Sequence, residues 1–314
     1  MHIKIEQICK TTWAEVKQKI KDIRSIFVGC LYELKWEISK KQKNHQFLNN
    51  GTRKKAIIVS LTSFPGRINT VHKTIRSILN QARVKPDRVE LWLAREQFEK
   101  GKNGLPVNLL ELQEYGLEIR WCEDIRSFKK LLPTLKEHSD SVIVTADDDV
   151  FYKKDWLEKL VTEYEKDTRN IYCHKATMFY LDESGRYMAY GGGEKYYKDP
   201  SFLNKLVGVG GVLYPPGVLN KEIFNEAVFQ ELAPTNDDIW FWFMAILNKT
   251  KIKVVEKNNP RPVEVYEREK SDKLTNINDR GENLFWIQFD NLIRKYAYVD
   301  VILRKEFERR KNQL

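Results

Sequence analysis

The sequence predicts an α/β fold: a mostly parallel sheet flanked by helices, with amphipathic helical extensions at both ends. Three observations predict it. Residues 56–61, 89–93 and 142–144 are short apolar runs with little polar alternation, as expected of strands buried on both faces. Segments of helical period separate these runs, which is the pattern of parallel crossover units. The third run, inside SVIVTADDDVFY (residues 141–152), ends in three consecutive carboxylates, Asp147, Asp148 and Asp149. Three like charges at the end of a buried strand repel one another unless a cation or hydrogen-bond donors sit among them. Such hard oxygen ligands suit Mg2+ or Mn2+ shared with a substrate's phosphates; a solvated acidic turn is the plainer alternative.

The chain of 314 residues is long enough for one large domain with extensions, and its 42% hydrophobic content excludes a disordered protein. The formal charge is +10, from 54 basic and 44 acidic residues. That balance suits nucleotides, nucleic acid or an anionic membrane surface without separating them. Cys9, Cys30, Cys122 and Cys173 show no CxxC spacing and read as reduced thiols of a cytoplasmic protein. The N-terminal region carries no signal-peptide core, and its longest uncharged stretch, residues 25–32, is too short to span a bilayer.

In chain order, residues 1–50 form a basic helical extension. Trp13, Val16, Ile20, Ile23, Phe27, Cys30 and Leu34 step alternately by 3 and 4, a heptad seam opposite a lysine-rich face. That seam fits a helix docked on the main domain, a self-associating coiled coil, or a helix lying on an anionic leaflet. The central domain spans residues 51–283. Its first strand (56–61) leads into the loop 62–67 and a helix over 68–82. Strands at 89–93 and 117–121 follow, with a short helix at 109–115 stopped by Gly116. A helix over 128–138 leads to the acidic strand, and Asp155 is placed to cap a helix over 155–166. Residues 171–181 read as one strand, paired through an Asp-Glu-Ser-Gly turn with a strand ending at Tyr190. Glycine clusters at 191–193 and 208–211 permit close backbone approach to a ligand. Thr235 or Asn236 caps an aromatic-rich helix whose first turn carries Asp237 and Asp238. These two acids either complement the helix dipole or supply a carboxylate that accepts a proton. Residues 284–314 read as one further amphipathic basic helix, with Leu292, Tyr296, Val299, Leu303 and Phe307 on its seam.

The order of SLTSFPGR (60–67), KLLP (130–133), ADDD (146–149), GGVLYPPG (210–217) and NDDIW (236–240) resembles the GT-A glycosyltransferases, of the family 2-like kind that build bacterial capsule and lipopolysaccharide. The resemblance covers roughly residues 54–283. It implies a metal-dependent hexosyltransferase that moves a sugar from a nucleoside-diphosphate-sugar, preferentially a UDP-sugar, to a polysaccharide or lipid-linked acceptor with inversion. Thr62, Phe64 and Arg67 would hold the nucleoside and diphosphate. Lys130, Asp148, Gly210 and Gly211 would lie at the donor, Asp147 at the ribose and metal, and Asp149 on a divalent Mn2+ or Mg2+. Asp237 or Asp238 would be the base. The resemblance further implies a cytoplasmic enzyme, peripheral on the inner face of the plasma membrane, with no nucleic-acid partner; the seam leaves room for a homo-oligomer. One departure is that the last histidine is His174, too early to complete a metal site in the family's manner. The metal would keep more waters or take a ligand from residues 276–283.

Two other classes remain. A metal-dependent phosphodiesterase or nuclease would explain the acidic triplet and basic charge, but it leaves the 62–67 loop unexplained and needs further metal ligands. A non-enzymatic membrane-associated scaffold would rest on the terminal helices alone.

Overall fold

A computed structural model describes residues 2–42, 45–51, 53–190, 195–256, 262–266 and 284–311, with backbone alone over 2–12 and at 14. The strands in chain order begin with β1 (Ile57–Thr62), β2 (Arg88–Ala94), β3 (Leu117–Cys122) and β4 (Val142–Ala146). Next come β5 (Val150–Phe151), β6 (Ile171–Cys173), β7 (Ala176–Leu181) and β8 (Tyr187–Tyr190). The last four are β9 (Asn204–Leu206), β10 (Val212–Tyr214), β11 (Ile252–Val254) and β12 (Val263–Glu264). The helices are α1 (His2–Lys41), α2 (Val71–Leu79), α3 (Val107–Leu110), α4 (Leu132–Glu137) and α5 (Trp156–Lys166). They continue with α6 (Glu226–Leu232), α7 (Asp237–Leu247), α8 (Leu284–Lys295) and α9 (Ala297–Lys311).

Seven strands form the central sheet in the order β11-β6-β10-β4-β1-β2-β3. β4, β1, β2 and β3 are mutually parallel, β11 is parallel to β6, and β10 runs antiparallel between β4 and β6. The mostly parallel, helix-flanked sheet is the one the sequence predicts. β1 lies between β2 and β4, so the strand order reverses there and opens a crevice at the carboxyl ends of β1 and β4. The 62–67 loop and the acidic triplet both leave the sheet at that crevice.

Alternate residues of β4 feed two apolar layers. Val142, Val144 and Ala146 pack with Ile75, Ile78 and Leu91, while Ile143 joins Tyr214, Trp240 and Phe241. Helix α7 is buried from Ile239 to Ile246 all around its circumference, which makes it an internal helix rather than a surface one. Asn236 caps it, accepting from the Ile239 N–H at 3.1 Å, so Asn236 rather than Thr235 is the cap.

Several expectations change. The single strand over 171–181 divides at His174–Lys175: β6 stays in the central sheet and β7 pairs with β8 and β9 in a separate antiparallel sheet. The Asp155 side chain makes no cap bond and pairs with Lys159 at 2.7 Å. The tail is two helices rather than one, divided at Tyr296, with Leu292, Val299 and Leu303 buried against α7 and its neighbours.

Helix α1 corrects the sequence more deeply. The docked reading has its seam covered by the domain, and the structure does the reverse. Ile20, Phe27 and Leu34 are 60%, 63% and 59% exposed. The helix docks by its other side. Trp36 is buried between Phe47 and Tyr115, Tyr32 stacks on Phe151 at 4.8 Å, and Ser39 donates to Asn80 at 3.0 Å. Gly29 brings the helix backbone against the Phe151 ring. Lys21 and Glu33 pair with Glu264 and Arg76.

Candidate active site

The acidic triplet follows the buried strand β4, and its three carboxylates have different fates. Asp148 turns inward. Its Oδ2 accepts from Ser63 Oγ at 2.6 Å, its Oδ1 accepts from Arg67 Nη1 at 2.7 Å, and its carbonyl accepts from Thr74. Burial raises its pKa, against the opposing pull of the Arg67 charge and the Ser63 hydrogen bond. Asp149 pairs with the other end of the same guanidinium at 3.3 Å. Arg67 therefore clamps the β1 loop to the triplet, and it lies over the Phe64 ring at 5.5 Å. Asp147 points the other way, with its side chain 28% exposed and its Oδ1 3.1 Å from Lys130 Nζ.

Lys130 is the centre of a second group. The short 3-10 turn Arg126–Lys130, just before α4, buries its ammonium. Around it stand Asp147 at 3.1 Å, Asp237 at 2.8 Å and Asp238 at 3.9 Å. Burial favours the neutral amine, but the charges of Asp147, Asp237 and Asp238 outweigh it and hold the lysine pKa well above its ordinary value. Asp238 Oδ2 accepts from the Gly208 N–H at 2.9 Å, while its Oδ1 is buried with no hydrogen-bond partner. Desolvation raises the Asp238 pKa, opposed by Lys130 and reinforced by Asp237. Lys205, also buried, has its pKa lowered chiefly by desolvation.

The structure thus brings together Lys130, Asp147, Asp237 and Asp238, and separately Arg67, Asp148 and Asp149. Thr62 is turned away toward β2, its hydroxyl donating to the Trp92 carbonyl at 2.8 Å. Gly210 and Gly211 pack rather than face the charges. Trp156 Nε1 donates to the Gly210 carbonyl at 2.8 Å, and a side chain on Gly211, whose φ is +92°, would strike the Trp156 indole. Gly208 is the glycine at the cluster, where a Cβ would stand 2.8 Å from both Asp238 Oδ1 and Lys130 Nζ. Motif reading passed over it because GVGG does not say which glycine faces inward. It also passed over Tyr152, whose hydroxyl accepts from the Asp147 N–H at 2.8 Å and so fixes the first acid of the triplet.

The donor set bears on a metal. Among the described residues no three His, Cys, Asp or Glu side chains converge as a ligand cluster. Asp148 is buried and accepts a hydrogen bond at each of its carboxylate oxygens, so its charge is directed to Ser63 and Arg67. Asp147 Oδ2 has no partner among the described residues, while Asp149, next on the same turn, shares the Arg67 guanidinium with Asp148. This set fits a cation taking one or two carboxylates and completing its shell with substrate oxygens, as Mg2+ does. A two-metal phosphodiesterase site asks for more ligands than the described residues assemble. Residues 276–283, expected as a further source of ligands, lie outside the described residues.

No protein-family model matches the chain. No curated protein matches it either. Among solved structures it is similar to S. aureus TarS 1-349, at 13% identity and TM-score 0.41 over 66% of this chain and 59% of that one. It is similar to GalNAc-T7 with UDP, GalNAc and Mn2+, at 10% identity and TM-score 0.41 over 66% of this chain and 46% of that one. CMP:2-keto-3-deoxy-manno-octonic acid synthetase complexed with CTP aligns at 11% identity and TM-score 0.40, over 64% of this chain and 89% of that one.

Proposed function

We propose that the chain is a metal-dependent glycosyltransferase. It moves a hexosyl group from a nucleoside-diphosphate donor, preferentially a UDP-sugar, to a hydroxyl of a glycan or lipid-linked acceptor, with inversion, in building a bacterial surface polysaccharide. The observation that carries this reading is the buried Lys130 ammonium, held among Asp147 of the triplet and Asp237 and Asp238 of α7 at the carboxyl edge of the sheet. Departure of a nucleoside diphosphate from a sugar carbon places negative charge on the phosphates. A fixed ammonium that its neighbours keep protonated is preorganised to receive that charge. Asp147 and Asp149 would hold Mg2+ or Mn2+, which when bound neutralises the diphosphate.

Asp238 is the better-suited base of the pair. Asp237 Oδ2 lies 2.8 Å from the Lys130 ammonium, whereas Asp238 Oδ1 stands farther off at 3.9 Å, and the raised pKa of Asp238 favours proton acceptance. The Gly208 N–H orients Asp238 from its other oxygen. Arg67 and Phe64 form the wall beside the triplet where the nucleoside would lie.

Kinetics with a nucleotide-sugar and a soluble acceptor test the assignment. Asp238→Asn is expected to lower kcat by about 100-fold or more with donor KM little changed. In wild type the acid limb of the kcat profile should lie above the ordinary carboxylate range, with activity falling as Asp238 is protonated. Full activity in Asp238→Asn would remove it as the base.

A further inference from the structure

The outward face of α1 belongs neither to the core nor to the candidate site. Trp13, Val16, Ile20, Ile23, Phe27, Leu31, Leu34 and Ile38 form one continuous stripe, each more than a third exposed. At 1.5 Å per residue the stripe is roughly 38 Å long. A single exposed leucine needs no explanation, but an aligned row of this length does. The helix already spends its other side on the body of the protein, through Trp36, Tyr32, Gly29 and Ser39.

We propose that this face lies in the interface of an anionic lipid bilayer, with the helix axis parallel to the membrane plane. Charge decides between this occupant and a second copy of the chain. Lys17, Lys19, Arg24 and Lys35 border the stripe, and none has an acidic partner among the described residues; Lys17 and Lys35 lie instead over the Trp13 and Tyr32 rings. The nearby acids are mostly occupied: Glu33 pairs with Arg76, Glu37 with Lys40, and Asp22 accepts from Gln18. In a parallel coiled coil built on Trp13, Ile20, Phe27 and Leu34 as one core column, Lys19 of one helix faces Arg24 of the other. Leu31 and Ile38 also widen the apolar face beyond the two columns of a coiled-coil seam. A broad apolar face rimmed by unpaired cations is the complement of anionic headgroups over acyl chains. No helix among the described residues is long and apolar enough to cross a membrane, so the contact is one of surface. Tyr32 donates to the carbonyl of Tyr152, whose hydroxyl holds the Asp147 N–H, so the surface-bound helix is tied directly to the acidic turn.

Co-sedimentation of the full chain with vesicles tests this. Phosphatidylcholine vesicles with and without phosphatidylglycerol are compared for wild type, for Ile23→Asp with Phe27→Asp, and for Lys17→Glu with Arg24→Glu. Wild type is expected to sediment with the phosphatidylglycerol vesicles and to be released by salt. Each double variant should bind roughly tenfold more weakly while keeping the wild-type Tm. The proposal is overturned if wild type sediments with neither vesicle, or if Ile23→Asp with Phe27→Asp binds as wild type does. It is equally overturned if sedimentation velocity shows a wild-type dimer that this variant makes monomeric, which would assign the stripe to a second copy.

Discussion

The two ends of the chain carry the same sequence signature and fold to opposite outcomes. Both are basic segments with an apolar stripe at helical spacing. At the C-terminal end the stripe is covered: Leu292, Val299 and Leu303 are fully buried beside Phe289 in the aromatic layer around α7. At the N-terminal end the stripe faces outward, and the helix docks through one tryptophan, a tyrosine stacked on Phe151, and polar bonds. Periodicity tells that a helix has an apolar face; it does not tell what covers that face. The covering is decided by the partner surface. A cluster of buried aromatics receives α8 and α9, whereas the short strand β5 and helix α2 offer α1 one ring and one ion pair.

Emptying the buried contacts at each end should cost far more than emptying the exposed stripe of α1. Leu303→Ala should cost about 2–5 kcal/mol and Trp36→Ala about 3–5 kcal/mol in denaturant unfolding, whereas Phe27→Ala on the exposed stripe should stay within about 0.5 kcal/mol. A large loss at Phe27 would mean that its side chain is covered in solution.

A smaller effect comes from pH. Glu306 on α9 is buried, which raises its pKa, but hydrogen bonds from Arg309 and Arg310 and the charge of Lys251 outweigh burial and lower it overall. A carboxylate held below its unfolded value of 4.5 stabilises the fold above that pH, and the contribution is lost as pH falls through the folded value. Glu306→Gln should therefore lower stability near neutral pH and flatten this part of the acid limb. An unchanged limb would show that the Arg310 contact adds nothing to the docking of α9.

Much of this molecule was legible in the sequence, and the exceptions follow a pattern. The buried parallel strands were readable because burial on both faces selects runs such as Ile57-Ile58-Val59. Strands β9, β11 and β12 were not read, because segments of two or three residues take their pairing from distant chain rather than from their own period. The change of sheet at His174–Lys175 carries no glycine or proline to mark it. In the candidate site the motif residues were visible, but not their pairings. That Asp148 turns inward to Ser63 and Arg67 while Asp147 reaches Lys130 depends on which way successive side chains leave β4. That Gly208 touches the cluster while Gly210 and Gly211 touch Trp156 and its neighbours depends on packing that four similar letters do not encode.

In the proposed function, the acidic turn and Lys130 receive a nucleoside diphosphate with a divalent cation. Calorimetric titration of UDP, GDP and CMP, each with and without Mn2+, into wild type and Asp149→Ala tests it most directly. Metal-dependent binding of one nucleoside diphosphate, UDP foremost, is expected, and Asp149→Ala should abolish it. Binding of none of them in the presence of Mn2+, or equal binding by Asp149→Ala, would contradict it.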